Sequence, residues 1–151
     1  MRAKIGNFIG HYSFLSNFYT STVYIDDKPY PTVEHAYQAS KTLDPVQRET
    51  IRKAGNPNEA KRLGRCVPLR HDWNNVKIEI MRDLIRQKFE SPFLQHMLLE
   101  TGDAELVHGN GWNDIFFGVC RGRGENWLGR ILMEVRDEIR LRSLGDEAQQ
   151  H

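Results

Sequence analysis

The starts of the helices are the feature of this sequence that most constrains its fold. In Asn56–Pro57 and in Ser91–Pro92, a polar residue that can cap free backbone N–H groups precedes a proline suited to the first helical position. Gly64 and Gly102 then stand where those helices should end, because glycine readily adopts the conformation that closes a helix. Thr32 is another capping residue and predicts a helix directly after it. The sequence therefore predicts a protein built from short, clearly bounded helices.

Hydrophobic periodicity predicts the remaining elements. The apolar residues between Val76 and Phe89 recur at helical spacing along two lines, which predicts a long and mostly buried helix. Val23–Ile25 precedes the turn-forming segment Asp26–Pro29, which predicts a small hairpin. The other predicted elements are an irregular loop packed by its own aromatic rings at 8–19, a helix at 46–54, strands at 105–108 and 115–120 in a hairpin-like unit, a flexible basic loop at 121–124, and an amphipathic helix from Asn126. The expected fold class is mainly α with a small β element, as a single domain at 1–142 followed by a polar tail at 143–151.

The composition is typical of a small globular protein. Of 151 residues, 39% are hydrophobic and 27% are charged, which is enough for one buried core and argues against a second domain. The 21 Lys and Arg residues balance the 20 Asp and Glu residues, so no overall field favours nucleic acid or an anionic membrane. The N-terminus lacks the apolar core of a signal peptide, and no run of residues is apolar enough to span a bilayer. We therefore expect a cytoplasmic protein.

Cysteine and histidine spacing gives no sign of a metal centre or a disulfide. Cys66 and Cys120 lie far apart, with no Cys-x-x-Cys or Cys/His ligand spacing around either, so we expect both to be reduced packing residues. His35 and His71 also lack metal-ligand spacing. The sequence therefore predicts neither a structural metal site nor a disulfide framework.

The predicted helix after Thr32 carries a chemical face. Glu34, Gln38 and Lys41 fall at i, i+4 and i+7, within an arc of about 60°, and apolar residues lie between them. One face would therefore present an acid, an amide and an amine. For an arbitrary helix, the simpler interpretation is a solvated stripe in which Glu34 attracts Lys41, or a Lys41 that is only a helix-end cation.

Other segments combine aromatic rings with polar groups. Phe14–Phe18 sets a serine and an asparagine among rings; the rings suit a core, whereas the polar groups need partners, and a ligand is one possible partner. Trp73 lies just before the long helix, and its ring could either pack against the core or form a platform on which a ligand stacks. Asp114 suits either turn chemistry or an acidic site. The basic loop at 121–124 is typical of a soluble loop and could also contact phosphates.

Seven motifs are far more specific as an ordered set than any one of them alone. They are Phe14-Leu15-Ser16-Asn17-Phe18, Glu34-His35 with Gln38-Ala39 and Lys41, Arg70-x-Asp72-Trp73, Lys88-Phe89, Thr101-Gly102-Asp103, Asp114-x-x-Phe117-Gly118, and Asn126-x-Leu128-Gly129 with Leu132-Met133. This ordered set resembles the YbiA-like N-glycosidase family, also called the NADAR family. The resemblance extends from about Phe8 to Arg140, and it implies a mostly helical fold with a small β element.

The resemblance also implies roles for individual residues. It places Glu34 at the family's acidic catalytic position and Asp114 at its second acidic position. It places Trp73 at an aromatic substrate contact, and Lys41 where a covalent role has been proposed for a lysine in some members. The expected substrate-binding residues are Phe14, Ser16, Asn17, Phe18, Gln38, Trp73, Phe117, Gly118 and Asn126.

Two positions depart from the family's pattern. The family normally has tryptophan where this chain has Phe117, and often glutamate where it has His108. Because both changes alter the expected wall of the pocket, they leave the choice of substrate open. Trp112 lies close in sequence to Phe117 and could supply an indole from another direction.

Characterised members of the family hydrolyse the bond between a ribose C1 and an exocyclic amine. Their substrates are ribosylaminopyrimidine phosphates of early riboflavin synthesis, or guanine that carries ADP-ribose on its amino group. Cleaving such a bond requires a proton for the leaving amine and stabilisation of positive charge at C1, which suits Glu34 and Asp114. The sugar can also open to an imine, so that Lys41 could hold it as a Schiff base if its pKa is lowered. The flat base would stack on Trp73.

The expected function is therefore metal-independent N-glycosidase activity, without a cofactor, on a small ribosylamino or ADP-ribosyl substrate that is free or part of a nucleic acid. The alternative is a non-catalytic module that binds NAD or ADP-ribose, which the departures at Phe117 and His108 make plausible. A nucleic-acid-binding domain has poor support because the charge is balanced.

Overall fold

The structure is a computed structural model that describes residues 2–149. The described residues form two compact units: residues 17–88 form one, and residues 2–16 with 89–149 form the other, called here the terminal unit. The strands are β1 (Lys4–Ile5), β2 (Thr20–Ile25), β3 (Lys28–Thr32) and β4 (Glu105–Leu106). The helices are a 3₁₀ helix (Gly10–Leu15) and the α-helices α1 (Val33–Ala39), α2 (Pro45–Arg52), α3 (Pro57–Gly64), α4 (Trp73–Lys88), α5 (Pro92–Glu100) and α6 (Trp127–Gln149). The predicted fold class, mainly α with a small β element, is confirmed.

In the 17–88 unit, a hairpin leads directly into α1. β2 and β3 pair antiparallel, with Ile25 opposite Lys28. The two turn residues, Asp26 and Asp27, have φ angles of 50° and 65°, which is the left-handed conformation that a tight two-residue turn requires. The predicted hairpin is therefore confirmed, and β3 ends at Thr32, immediately before the helix.

The predicted helix caps are also present. The side chains of Thr32, Asn56 and Ser91 each accept a hydrogen bond from the backbone N–H three residues further on. Pro57 and Pro92 begin α3 and α5. These helices begin where capping predicts, because a polar side chain satisfies an N–H group that the first helical turn leaves free.

Gly64 has a different role from the predicted one. It is the last residue of α3 and does not lie past the end of that helix. A Cβ atom on Gly64 would lie 1.9 Å from Oε1 and 2.7 Å from Cδ of Gln38. Glycine is therefore required for the close approach of α3 to α1. Gly102, by contrast, has a φ of 63° and closes α5 as predicted.

α4 begins three residues earlier than the predicted start at Val76. Trp73 is its first residue, and the helix packs against β2 and α1. Met81, Leu84 and Ile85 are buried. The predicted long packing helix is therefore present, and it includes the tryptophan that was expected to precede it.

In the terminal unit, α5 and α6 pack together, and α6 also contacts β4. β1 and β4 form a parallel pair in which Lys4 lies opposite Glu105. α6 continues through Gln149, so the prediction that the helix stops before Ser143 is wrong. Residues 141–149 are nevertheless exposed, as expected of a polar tail. The helix extends through this segment because most of its residues, which are leucine, arginine, glutamate, alanine and glutamine, have high helix propensity.

The predicted hairpin-like unit at 105–120 is wrong in its second half. β4 is only two residues long, and 115–120 does not form a strand. Asp114 Oδ1 accepts hydrogen bonds from the backbone N–H groups of Phe116 and Phe117, at 3.2 Å and 3.0 Å. Since a strand would need N–H groups of this segment for its ladder, the side chain of Asp114 competes directly with strand formation.

Two smaller predictions also need correction. The segment at 8–19 contains the 3₁₀ helix and is not wholly irregular, although Phe14 packs edge-on against Phe89 as part of the core. Both cysteines are free thiols, but Cys66 is exposed and only Cys120 is a buried packing residue.

The basic loop at 121–124 is a tight turn in which Cys120 and Arg123 exchange backbone hydrogen bonds.

Candidate active site

Glu34 lies in the first turn of α1 and is only 8% exposed. Its backbone N–H donates to the carbonyl oxygen of Asn17 at 3.1 Å. Its carboxylate Oε1 accepts a hydrogen bond from Gln38 Nε2 at 2.8 Å. All of Val33–Ala39 is buried, so the simpler interpretation of α1 as a solvated stripe is wrong. A buried carboxyl near a helix N-terminus can exchange protons in a site that is largely shielded from water.

His35 anchors the turn that carries Glu34. Its Nδ1 lies 2.8 Å from the hydroxyl oxygen of Thr32, and its Nε2 lies 3.0 Å from the carbonyl oxygen of Ala54. A ring with its hydrogen on Nε2 satisfies both contacts, since it donates to Ala54 and accepts from Thr32. The first turn of α1 is thereby tied to the segment that follows α2.

Lys41 lies just beyond α1, which ends at Ala39, so the predicted helical face does not extend to it as regular helix. Its side chain is half-buried, and Nζ lies 5.9 Å from the centroid of the Tyr37 ring. Burial lowers the pKa of Lys41, Glu34 opposes this shift, and the positive charges of Arg65 and Lys61 add to it. A lowered pKa increases the fraction of Lys41 that is a free amine at neutral pH, which is the form that attacks a carbonyl or imine carbon.

Trp73 is 6% exposed and packs against Tyr37, with ring centroids 5.2 Å apart and an interplanar angle of 51°. Arg70 ties the segment before α4 to the segment after α1, because its backbone N–H donates to the carbonyl oxygen of Lys41 at 2.8 Å. The guanidinium of Arg70 in turn pairs with both carboxylate oxygens of Asp72, at 2.6 Å and 3.0 Å. Trp73 and Lys41 are therefore held by the same local framework, with Tyr37 in contact with both.

Sequence reasoning missed Tyr37 as a site residue and treated it only as apolar surface for the helix. The available signal was its position, since Tyr37 lies three residues after Glu34 and four before Lys41, where helix neighbours meet.

Sequence reasoning also assigned no role to Lys88, which is 1% exposed, with Nζ 5.5 Å from the centroid of the Tyr19 ring. Burial lowers the pKa of Lys88 to about 7.

Asn17 is the remaining predicted residue of the 17–88 unit with a defined polar contact. It is buried, and its Nδ2 lies 3.6 Å from the sulfur of Met81. Its Oδ1 is buried and has no hydrogen-bond partner among residues 2–149. Phe18 is half-buried in the same segment. The 17–88 unit thus brings together Glu34 and Gln38 with Lys41, Trp73 and Asn17.

The terminal unit carries the other predicted site residues, and their contacts are mainly with the backbone. Asp114 is half-buried, and its Oδ1 holds the two N–H groups described above. Asn110 fixes the loop around it: Asn110 Nδ2 donates to the carbonyl oxygen of Asp114, and Asn110 Oδ1 accepts from its N–H. Sequence reasoning missed Asn110, because nothing local distinguishes it from other loop asparagines.

Phe117, Gly118 and Asn126 have clear packing roles in this unit. Phe117 is buried and lies edge-on to Phe116, with centroids 4.8 Å apart. A Cβ atom on Gly118 would lie 2.4 Å from the carbonyl oxygen of His108, so only glycine fits there. Asn126 Nδ2 donates to the carbonyl oxygen of Leu106 and Oδ1 accepts from the N–H of His108. The amide of Asn126 thus clamps β4 and does not cap α6.

The other two predicted substrate-binding residues of the terminal unit are Phe14 and Ser16. Phe14 is buried in the contact with Phe89, and Ser16 is half-buried at the end of the 3₁₀ helix. No group of three or more His, Cys, Asp or Glu side chains within residues 2–149 is placed to bind a metal ion. Among residues 2–149, no helix combines the length and the hydrophobicity that a membrane span requires.

Comparison with known proteins shows the family of this chain. The NADAR domain model matches residues 7–140. The chain belongs to the NADAR family. It is 41% identical over 134 residues to N-glycosidase YbiA of Escherichia coli, which covers 86% of this chain and 83% of that protein. It is also 40% identical over 133 residues to a riboflavin biosynthesis protein of Vibrio vulnificus, covering 85% of this chain but 36% of that protein.

A solved structure agrees with this assignment. The NMR structure of E. coli YbiA matches with a TM-score of 0.83 and 40% sequence identity, over 95% of this chain and 89% of that chain. The likeness thus extends to the fold of a NADAR protein, and a single family domain spans both compact units.

The two departures from the NADAR pattern now have a structural context. The His108 ring stacks on Phe8, with centroids 5.6 Å apart, and meets the exposed Trp112 at its edge, 5.9 Å away. Trp112 therefore packs against His108.

Proposed function

We propose that this NADAR protein is an N-glycosidase that hydrolyses the bond between ribose C1 and the exocyclic amine of a ribosylamino heterocycle. Water adds to C1, the amine leaves on the base, and the sugar keeps a hydroxyl at C1. The observation that carries the proposal is a buried carboxyl, Glu34, near enough to Lys41 for its charge to act on the pKa of Lys41, which burial lowers, in a chain 41% identical to N-glycosidase YbiA.

Glu34 is proposed to move the protons of the reaction. It gives a proton to the leaving amine, which is otherwise a poor leaving group, and later takes one from the attacking water. Its burial and its hydrogen bond from Gln38 hold the carboxyl in one orientation. Asp114 is proposed as the second carboxylate of the reaction, on the resemblance alone.

Lys41 is proposed to act as a nucleophile on the ring-opened form of the substrate. Its free amine adds to the C1=N carbon, and the base amine leaves with a proton from Glu34, so that the sugar remains on Lys41 as a Schiff base. Water then adds to C1, and the Lys41 amine is released unchanged. This route requires a free amine, and the lowered pKa of Lys41 increases the fraction of the side chain in that form.

A small ribosylaminopyrimidine phosphate is the proposed substrate class. Two of the relatives support it, since one is named an N-glycosidase and another a riboflavin biosynthesis protein. The heterocycle is proposed to contact Trp73, whose ring already packs with Tyr37.

Parallel incubations test the proposal. The protein is given a ribosylaminopyrimidine phosphate in one reaction and DNA bearing ADP-ribosylated guanine in another, and the products are identified by mass spectrometry. Release of ribose phosphate in the first supports the proposal, and release of ADP-ribose in the second moves the substrate class to modified nucleic acid. Tight binding of ADP-ribose with no product in either reaction would show a binding module instead.

A further inference from the structure

The side chain of Gln38 is placed for a task other than the predicted contact with substrate. It is 5% exposed, and its Nε2 donates to Oε1 of Glu34 at 2.8 Å. Its Oε1 faces Gly64, where a Cβ atom would lie only 1.9 Å away. That oxygen has no hydrogen-bond partner among the residues that the structure describes. Both ends of the amide are thus directed at the protein.

We propose that Gln38, locked by its contact with Gly64, is a positioning residue that fixes the Glu34 carboxyl for proton transfer. This inference rests on the proposed role of Glu34. It replaces the predicted role of Gln38 as a substrate-binding residue, and it gives Gly64 a role in the reaction.

Packing alone does not account for a glutamine at this position. An apolar side chain of similar size would fill the same space without burying an oxygen that lacks a partner, which is unfavourable. What the amide adds is an N–H donor aimed at one oxygen of Glu34. A donor to a carboxylate stabilises its charged form and restricts its rotation.

Gly64 makes this orientation possible. A Cβ atom there would also lie 2.7 Å from Cδ and 2.9 Å from Cβ of Gln38, so it would displace the whole side chain and not only its flexible end. α1 and α3 approach each other at this point. The orientation of the Glu34 carboxyl thus depends on a residue from another helix.

Other charged and titratable groups lie on or just after α1 and on the helices packed against it, and they are unchanged in the test variants. On the α1 side they are His35, which is bonded to Thr32 and Ala54, and Lys41. The helices packed against α1 contribute others, namely Lys61 and Arg65 with α3 and the buried Lys88 in α4. A change in the pH profile on substituting Gln38 therefore reports the amide and not a change of neighbouring charge.

The test compares Gln38→Met, Gly64→Ala and the matched control Gly55→Ala. One limb of the pH profile of kcat/KM should follow the titration of Glu34. In Gln38→Met we expect this limb to move to higher pH by about one unit, because the charged carboxylate loses a hydrogen bond and its pKa rises by about that much. Gly64→Ala should move the same limb in the same direction. Gly55→Ala should leave the profile unchanged, because a Cβ atom there meets nothing within 4 Å.

The titration of the Glu34 carboxyl, followed by ¹³C NMR in selectively labelled protein, gives a readout that does not need activity. Its midpoint should move up in Gln38→Met, which avoids the risk that Gly64→Ala fails to fold. If neither the titration midpoint of Glu34 nor the pH profile of kcat/KM moves, and KM rises, the inference is wrong and Gln38 is a substrate-binding residue. A parent protein without glycosidase activity would instead reject the proposed function, whereas the NMR titration would still decide the role of Gln38.

Discussion

The two carboxylates that the family resemblance singles out are held in opposite ways. Glu34 lies in the first turn of α1, where Asn17 and Thr32 accept from the backbone N–H groups of Glu34 and His35, so the Glu34 carboxylate is available to side-chain partners such as Gln38. Asp114 lies in a segment without regular structure, and its Oδ1 satisfies the N–H groups of Phe116 and Phe117. A regular element frees its polar side chains for chemistry, whereas an irregular one uses them to satisfy its own backbone.

The largest effect should come from the helical carboxylate. Glu34→Gln keeps the shape of the side chain and removes the acid, so we expect kcat to fall by roughly 10²- to 10⁴-fold. The melting temperature should change little, because an amide can still bond to Gln38. Steady-state kinetics with thermal melts checks both parts, and a rate near that of the parent would remove Glu34 from the mechanism.

The second test concerns the amine beside Glu34. Lys41→Met should lower kcat by about 10²-fold or more, because the nucleophile is lost. Borohydride added during turnover should fix the mass of the sugar on the peptide that contains Lys41. Lys28→Met, at an exposed position of the hairpin, is the matched control and should keep full activity. Full turnover with an unmodified Lys41 peptide would contradict the covalent route.

Two substitutions of Asp114 separate its structural role from a catalytic one. Asp114→Ala removes the acceptor for two backbone N–H groups and should lower the free energy of unfolding by about 2–3 kcal/mol. Asp114→Asn keeps an oxygen that can accept both bonds, so its stability should stay close to that of the parent. Urea denaturation measures the first quantity, and kcat of the stable Asp114→Asn variant measures the second. If Asp114→Asn is fully active, the role of Asp114 is structural, and Glu34 is the one carboxylate of the two that takes part in the reaction.

Asn126 tests whether the irregular segment depends in general on side-chain bonds to the backbone. Asn126→Ala loses both bonds to the β4 region and places alanine at a φ of 57°. We expect a loss of about 2 kcal/mol in the free energy of unfolding. Asn126→Gly relieves the backbone strain but not the lost bonds, so it should fall between the parent and Asn126→Ala. Asn75→Ala, at an exposed position of α4, should cost little.

The smallest effect concerns the charge that surrounds Lys41. The positive charge of Arg65 lowers the pKa of Lys41, so Arg65→Gln should raise that pKa and leave less free amine at a given pH. The acidic limb of kcat/KM should therefore move to higher pH by a few tenths of a unit to one unit. Arg62→Gln is the control, since Arg62 pairs with Glu59 and is not among the charges that act on Lys41. A shift to lower pH in Arg65→Gln would contradict a role for Lys41 as a free amine.

Local patterns predicted much of the 17–88 unit. The cap at Thr32, the start of α3 after Asn56 and the two-residue turn at Asp26 each depend on interactions within about four residues, and the structure has all three. The resemblance, carried by motifs over most of the chain, predicted the family that the comparisons show.

The errors occur where contacts of particular side chains override propensity. Residues 115–120 have the composition of a strand, but the side chain of Asp114 takes two of their N–H groups. Gly64 has the position of a helix cap, but contact with Gln38 explains it. Strand propensity misses the first outcome because it does not count a side chain that bonds nearby backbone N–H groups. Local sequence misses the second because Gln38 lies on another helix.

By itself, the sequence determined the fold class, the family and the place of Glu34 at the start of a capped helix. Only the tertiary structure decided that α1 is buried on all sides, that burial lowers the pKa of Lys41, and that the amide of Gln38 turns toward Glu34 and Gly64. The physical reason is that caps and turns act through hydrogen bonds between near neighbours in the chain, whereas burial and charge depend on what other helices bring within a few ångströms.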